Sequence, residues 1–102
     1  MKSTKCIIFS KEFAEEFDKF CNEQGFYKSN FIDTMLATDM KLINSIKIEK
    51  MVRKKGEKRR LSVTLDEDKY FQVAKPISPR LEEALKIVMS QYKSGSPRYN
   101  ML

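Results

Sequence analysis

The chain has 102 residues, which allows one domain with a small core, and its 41% hydrophobic and 33% charged residues exclude the apolar-poor composition of a disordered chain. It has no histidine and only three scattered glycines, which removes the usual general base, the Ser-His and Cys-His nucleophile pairs and any Gly-rich phosphate loop, so neither catalysis nor a cofactor is expected. Residues 41–60 hold nine Lys/Arg against Glu49 and Glu57, an excess larger than the whole chain's net +6, so the charge is concentrated in one segment as phosphate-backbone binding, a solvated linker or an anionic-membrane patch would each require.

In chain order, residues 4–9 form a β-prone run, and Ser10 offers an N-cap hydroxyl to a helix over 11–24. Phe13, Phe17, Phe20 and Cys21 recur there at helical spacing and read as core. Gly25 ends the helix, and from Ser29 onward Ile32, Met35, Leu36, Met40 and Ile43 mark one second amphipathic run. Cys6 and Cys21 lack metal-ligand spacing and read, on composition, as small buried hydrophobes, with no metal expected. No apolar run approaches the roughly 20 residues that span a bilayer, so no membrane partner and a cytoplasmic location are expected.

Residues 45–58 read as a basic linker or helix extension broken at Gly56. The second half then repeats the first. Residues 60–65 alternate polar and apolar strictly, Asp66 supplies an N-cap, and Tyr70, Val73 and Ala74 begin a helix that Pro76 ends. Ser78-Pro79 reads as N-cap and first helical residue, followed by the stripe Leu81, Ala84, Leu85, Val88, Tyr92, and residues 94–102 read as a flexible tail. The expected organisation is one unit over 1–44, the linker over 45–58, a second unit over 59–93 and the tail.

A lone strand with two helices leaves its edges unpaired, so the two units should pair their strands. The expected fold is mostly α with a short antiparallel β-ribbon. At this point the chain resembles the ribbon-helix-helix family of Arc, MetJ and CopG repressors, as two tandem copies in the order β-α-α-β-α-α. The residues 25–32, Gly-Phe-Tyr-Lys-Ser-Asn-Phe-Ile, resemble the family's turn and second-helix start, and the residues 60–66, Arg-Leu-Ser-Val-Thr-Leu-Asp, resemble its ribbon. The organisation is similar to tandem regulators of the TraY type and of archaeal lipothrixviruses.

The resemblance implies a pseudo-dimeric regulator of transcription that reads the major groove of double-stranded DNA with the ribbon. Alternation turns Leu61, Val63 and Leu65 inward and leaves Arg60, Ser62 and Thr64 for base contact, with Thr4, Cys6 and Ile8 as their counterparts on the first strand. That register places Lys5 on the core side, from which it would snorkel to phosphate, whereas a slip by one residue would expose Lys5, Ile7 and Phe9 instead. Phosphate contact is further expected from Tyr27, Lys28 and Ser29 and from Ser78 and Arg80 at the two second-helix starts, with Tyr27 and Pro79 departing from the family pattern. Lys58 and Arg59 join them, with Arg53, Lys54 and Lys55 near the duplex. Chains could act as monomeric pseudo-dimers or homodimers, several copies lining up on repeated sites; the alternative is a protein-interaction module, antitoxin-like or adaptor, on the same fold.

Overall fold

The computed structural model describes residues 1–48, 57–95 and 99, and its organising element is a ribbon of two nine-residue strands, β1 (Lys2–Ser10) and β2 (Lys58–Asp66). They pair antiparallel within the chain over their whole length, with Thr4 opposite Thr64, Cys6 opposite Ser62 and Ile8 opposite Arg60. The ladder extends past both ends in the same way, since the amide of Lys11 donates to the carbonyl of Glu57 and that of Glu67 to the carbonyl of Met1, each at 2.9 Å.

Each strand runs directly into a helix. Ser10 is extended (φ −62°, ψ 147°) and its Oγ accepts from the Phe13 amide, which starts α1 (Lys11–Gln24). Asp66 plays the same part for α4 (Glu67–Phe71), accepting from the Lys69 amide at 3.2 Å, and that hydrogen bond holds its carboxyl below the ordinary aspartate value. At the far end of α1 Gly25 adopts φ 74°, and an added Cβ there would meet nothing within 4 Å. The glycine is required by the left-handed backbone and not by lack of space.

Three expected elements differ. The run from Ile32 to Ile43 is two helices, α2 (Lys28–Thr38) and α3 (Met40–Ser45), because Asp39 leaves the helical region at φ −120°. The backbone bonds continue through it, the Asp39 amide donating to the Met35 carbonyl and the Ile43 amide to the Asp39 carbonyl, while its buried carboxylate accepts from the Tyr99 hydroxyl at 2.5 Å. The helix after β2 stops at Phe71, well before Pro76. Asn44 of α3 takes over the backbone that follows, its Nδ2 donating to the Gln72 carbonyl at 3.0 Å and its Oδ1 accepting from the Ala74 amide at 2.8 Å. Val73 is nevertheless buried, as its apolar position implied. The last helix, α5 (Ile77–Lys93), is capped by Pro76, so Ser78 lies inside the first turn and Pro79 one position later.

The ribbon's inner face, Ile7, Phe9, Val63 and Leu65, covers a single core with the helices. The first half contributes aromatic rings: Phe9, Phe13, Phe17 and Phe31 form a chain with centroids 5.0–6.2 Å apart, mostly edge to face. The second half contributes the aliphatic stripe of α5, with Leu81, Ala84, Leu85, Val88 and Met89 all buried. Of the segment 94–102 expected as a flexible tail, residues 96–98 and 100–102 lie outside the described residues, and Tyr99 is described. It is 7% exposed, packs 5.6 Å from Phe31, and exchanges hydrogen bonds with Tyr92, whose hydroxyl donates to its carbonyl and accepts from its amide.

Candidate nucleic-acid interface

With one ribbon face on the core, the other is bare. Thr4, Cys6 and Ile8 of β1 and Arg60, Ser62 and Thr64 of β2 are all exposed on it, Ile8 at 43%, while Lys5, Ile7 and Phe9 face inward. This is the register expected from alternation, and a slip by one residue is excluded. Apolar burial decides it, since Ile7 and Phe9 are each at most 1% exposed and the slip would put both in water. Cys6 is exposed and only Cys21 is buried, which corrects the compositional reading of both as core. Burial pushes the Cys21 thiol up to about 11, against the lowering effect of Lys28, and so keeps it neutral.

The ribbon's outer edges carry amides with no strand partner, and helix side chains accept from them in a repeated arrangement. Ser29 of α2 accepts from the Thr64 amide at 3.4 Å, and Asp33, one turn on, from the Asp66 amide at 3.0 Å. Across the ribbon Ser78 of α5 accepts from the Ile8 amide at 3.1 Å and Glu82, one turn on, from the Ser10 amide at 2.8 Å. These bonds satisfy the exposed edges, fix the starts of α2 and α5 beside the ribbon, and deny the edges to another strand. A shared spacing in the sequence, Ser-x-x-x-acid at Ser29 to Asp33 and at Ser78 to Glu82, is the signal for them, and neither acid belongs to the family pattern quoted above.

Besides Ser29 and Ser78, which cap the ribbon edges, the expected phosphate contacts divide into three groups. Lys58 is exposed on the same parity as Arg60, and Tyr27 caps α2 at 78% exposure without a side-chain hydrogen bond. Lys28 and Arg59 flank the face but are ion-paired, Lys28 to Asp18 and Arg59 to Glu15 at 3.6 Å. Both pairs are solvent-exposed enough to exchange partners at small cost.

Lys5 and Arg80 are placed away from the face. The Lys5 ammonium turns under the ribbon to Glu67 at 3.7 Å and lies 4.4 Å from the Phe71 ring centroid and 5.3 Å from that of Tyr70. The snorkelling expected of it occurs, but toward an acid and two rings on the helix side. Arg80 is 9% exposed and its guanidinium donates to three backbone carbonyls, those of Ala74 at 2.9 Å, Lys75 at 3.2 Å and Ile46. It ties the end of α3 to the segment entering α5. Arg53, Lys54 and Lys55 lie outside the described residues.

Lys2 lies outside the β-prone run over residues 4–9, so local composition does not announce it. It extends the outer face by one position and pairs with Asp33 at 3.5 Å. Among the described residues no helix is long and apolar enough to cross a membrane. Comparison with protein-family models, with curated proteins and with solved structures finds no match.

Proposed function

We propose that this chain is a sequence-specific double-stranded DNA-binding regulator of transcription, a tandem ribbon-helix-helix protein that inserts the β1–β2 ribbon into the major groove. The observation that carries the reading is the ribbon itself: one face is sealed onto the core, and the other presents Arg60, Ser62, Thr64, Thr4, Cys6 and Ile8 with no covering element among the described residues. A two-stranded ribbon is narrow enough for a groove about 12 Å wide. Arg60 donates as a fork to guanine O6 and N7, the hydroxyls of Ser62, Thr64 and Thr4 donate or accept at base edges, and Ile8 packs on a thymine methyl. Lys58, Arg59 and Lys28 hold phosphates, and the starts of α2 and α5, fixed beside the ribbon by Ser29 and Ser78, bring their free amides toward the backbone on either side.

Both strands come from one chain, so one polypeptide supplies a complete reading element, and regulation follows from occupancy of an operator in the cytoplasm. Replacing Arg60 with Ala is expected to cost about 1–3 kcal/mol at its cognate site and little on random duplex. Lys58→Ala should weaken both equally and lower the salt slope by about one. An Arg60→Ala protein with an unchanged ratio of operator to random-duplex affinity would refute base readout; absence of duplex binding even at low salt would favour a protein-interaction module.

A further inference from the structure

The register of the ribbon divides its outer face by end, not by strand. Cys6 and Ser62 face each other at the middle. Toward one end lie Ile8 opposite Arg60 and then Ser10 opposite Lys58; toward the other lie Thr4 opposite Thr64 and then Lys2 opposite Asp66. Among the described residues neither Lys58 nor Arg60 has an ion-pair partner, whereas Lys2 is ion-paired with Asp33 and stands opposite Asp66, whose carboxylate caps α4. One end therefore carries two cations that have no ion-pair partner among the described residues and a branched apolar side chain, and the other carries two hydroxyls, an ion-paired lysine and a carboxylate.

We infer that the protein recognises a non-palindromic DNA site with one strict half and one permissive half, the strict half lying under the Ile8/Arg60 end. This rests on the DNA-binding reading above. Directly opposed side chains in an antiparallel pair stand about 5 Å apart, so Arg60 and Ile8 reach the same or adjoining base pairs. Arg60 requires a guanine, because its fork matches only the paired acceptors O6 and N7, and Ile8 beside it favours a thymine methyl and disfavours an exposed cytosine amino group. At the opposite end Thr4 and Thr64 offer hydroxyls that can donate or accept, which satisfies several base pairs about equally. The charge difference acts in the same direction, since Lys58 and Arg60 draw the phosphates at the strict end closer, while Lys2 at the other end is engaged by Asp33. Duplicated order within one chain thus permits what a symmetric dimer of identical strands cannot, a fixed orientation on the duplex.

The test is selection of bound duplexes from a randomised double-stranded pool, with the full-length protein and with Arg60→Ala and Thr64→Ala. The expected result for the parent is an asymmetric site, with a G-containing, T-flanked half and a second half of low information. Arg60→Ala should abolish the guanine preference in the strict half, reducing discrimination roughly 10- to 100-fold, and leave the other half as it was. Thr64→Ala should alter only the permissive half, by less than about 10-fold. A palindromic selected site, or an Arg60→Ala effect spread over both halves, overturns the inference while leaving DNA binding intact. Recovery of no duplex at low salt overturns the DNA-binding reading itself. Both substituted positions are on the exposed face, and unchanged circular dichroism and melting temperature verify that the variants are folded.

Discussion

Arg80 separates a structural role from a phosphate-binding one. Substitution by Met keeps the aliphatic stem that packs at the start of α5 but removes the guanidinium, and with it the hydrogen bonds to the carbonyls of Ala74, Lys75 and Ile46. Hydrogen bonds to charged groups contribute about 1.5–3 kcal/mol each, but they are not additive, and the exposed backbone at Ala74 and Lys75 lets water replace part of the loss. The expected destabilisation is therefore about 3–5 kcal/mol in total, near the upper end for single substitutions. A domain of this length should then melt at least about 12 °C lower. Arg80→Lys should lose most of the same stability, because one ammonium cannot span three carbonyls on two segments. The assay is urea denaturation of the three proteins, reading the midpoint with the slope held as a control, alongside the salt dependence of duplex binding for the folded variants. If Arg80→Met costs under about 1 kcal/mol while lowering the salt slope by about one, and Lys restores binding, the structural assignment is wrong.

The remaining expectations concern the tail, the ribbon edges and the thiols. Tyr99→Phe removes the hydroxyl bonded to the buried Asp39 carboxylate and should cost about 1–3 kcal/mol in denaturation; truncation after Ser94 should cost more because it also uncovers Phe31 and Tyr92, and a neutral Tyr99→Phe would show that the hydroxyl does not hold the tail. Ser78→Ala should cost about 0.5–1.5 kcal/mol and accelerate hydrogen exchange of the Ile8 amide, with Ser29→Ala doing the same, more weakly, for Thr64; unchanged exchange at residue 8 would reject the edge-cap role. Native protein near pH 8 should take one iodoacetamide adduct, at Cys6, and lose duplex binding without losing its circular dichroism, whereas Cys21 should react only on unfolding. The raised thiol pKa of Cys21 means its contribution to stability is complete below the ordinary thiol value and is lost as pH climbs toward about 11; modification of Cys21 in the native protein at neutral pH would contradict this burial.

Local order was legible wherever one residue type served one purpose. Ser10 and Asp66 announce helix starts because a short oxygen-bearing side chain after an extended run caps free amides, and Gly25 announces a stop because its backbone is left-handed. The ribbon's outer face was legible in the same way, since strict alternation in residues 60–65 fixes inside and outside without reference to a partner. The break at Asp39 was not legible, because Met40 and Ile43 keep the helical period across it, and the partner of its carboxylate, Tyr99, lies 60 residues away. The fates of Lys5 and Arg80 were hidden for a similar reason. A cation near a proposed phosphate site looks available in sequence, and only the fold brings Glu67 and two rings to the first and three carbonyls to the second.

By itself, then, the sequence determined the alternation of two strands with amphipathic helices, the apolar faces those helices bury and the concentration of charge before the second strand. These are properties of neighbouring residues, written in period and composition. The tertiary structure decided what depends on residues far apart in the chain: that the strands pair within one molecule, that Ile8 rather than Thr4 stands beside Arg60, and that the ribbon edges are closed by Ser29, Asp33, Ser78 and Glu82. Cross-strand register sets which side chains stand opposite one another, and no local pattern contains it.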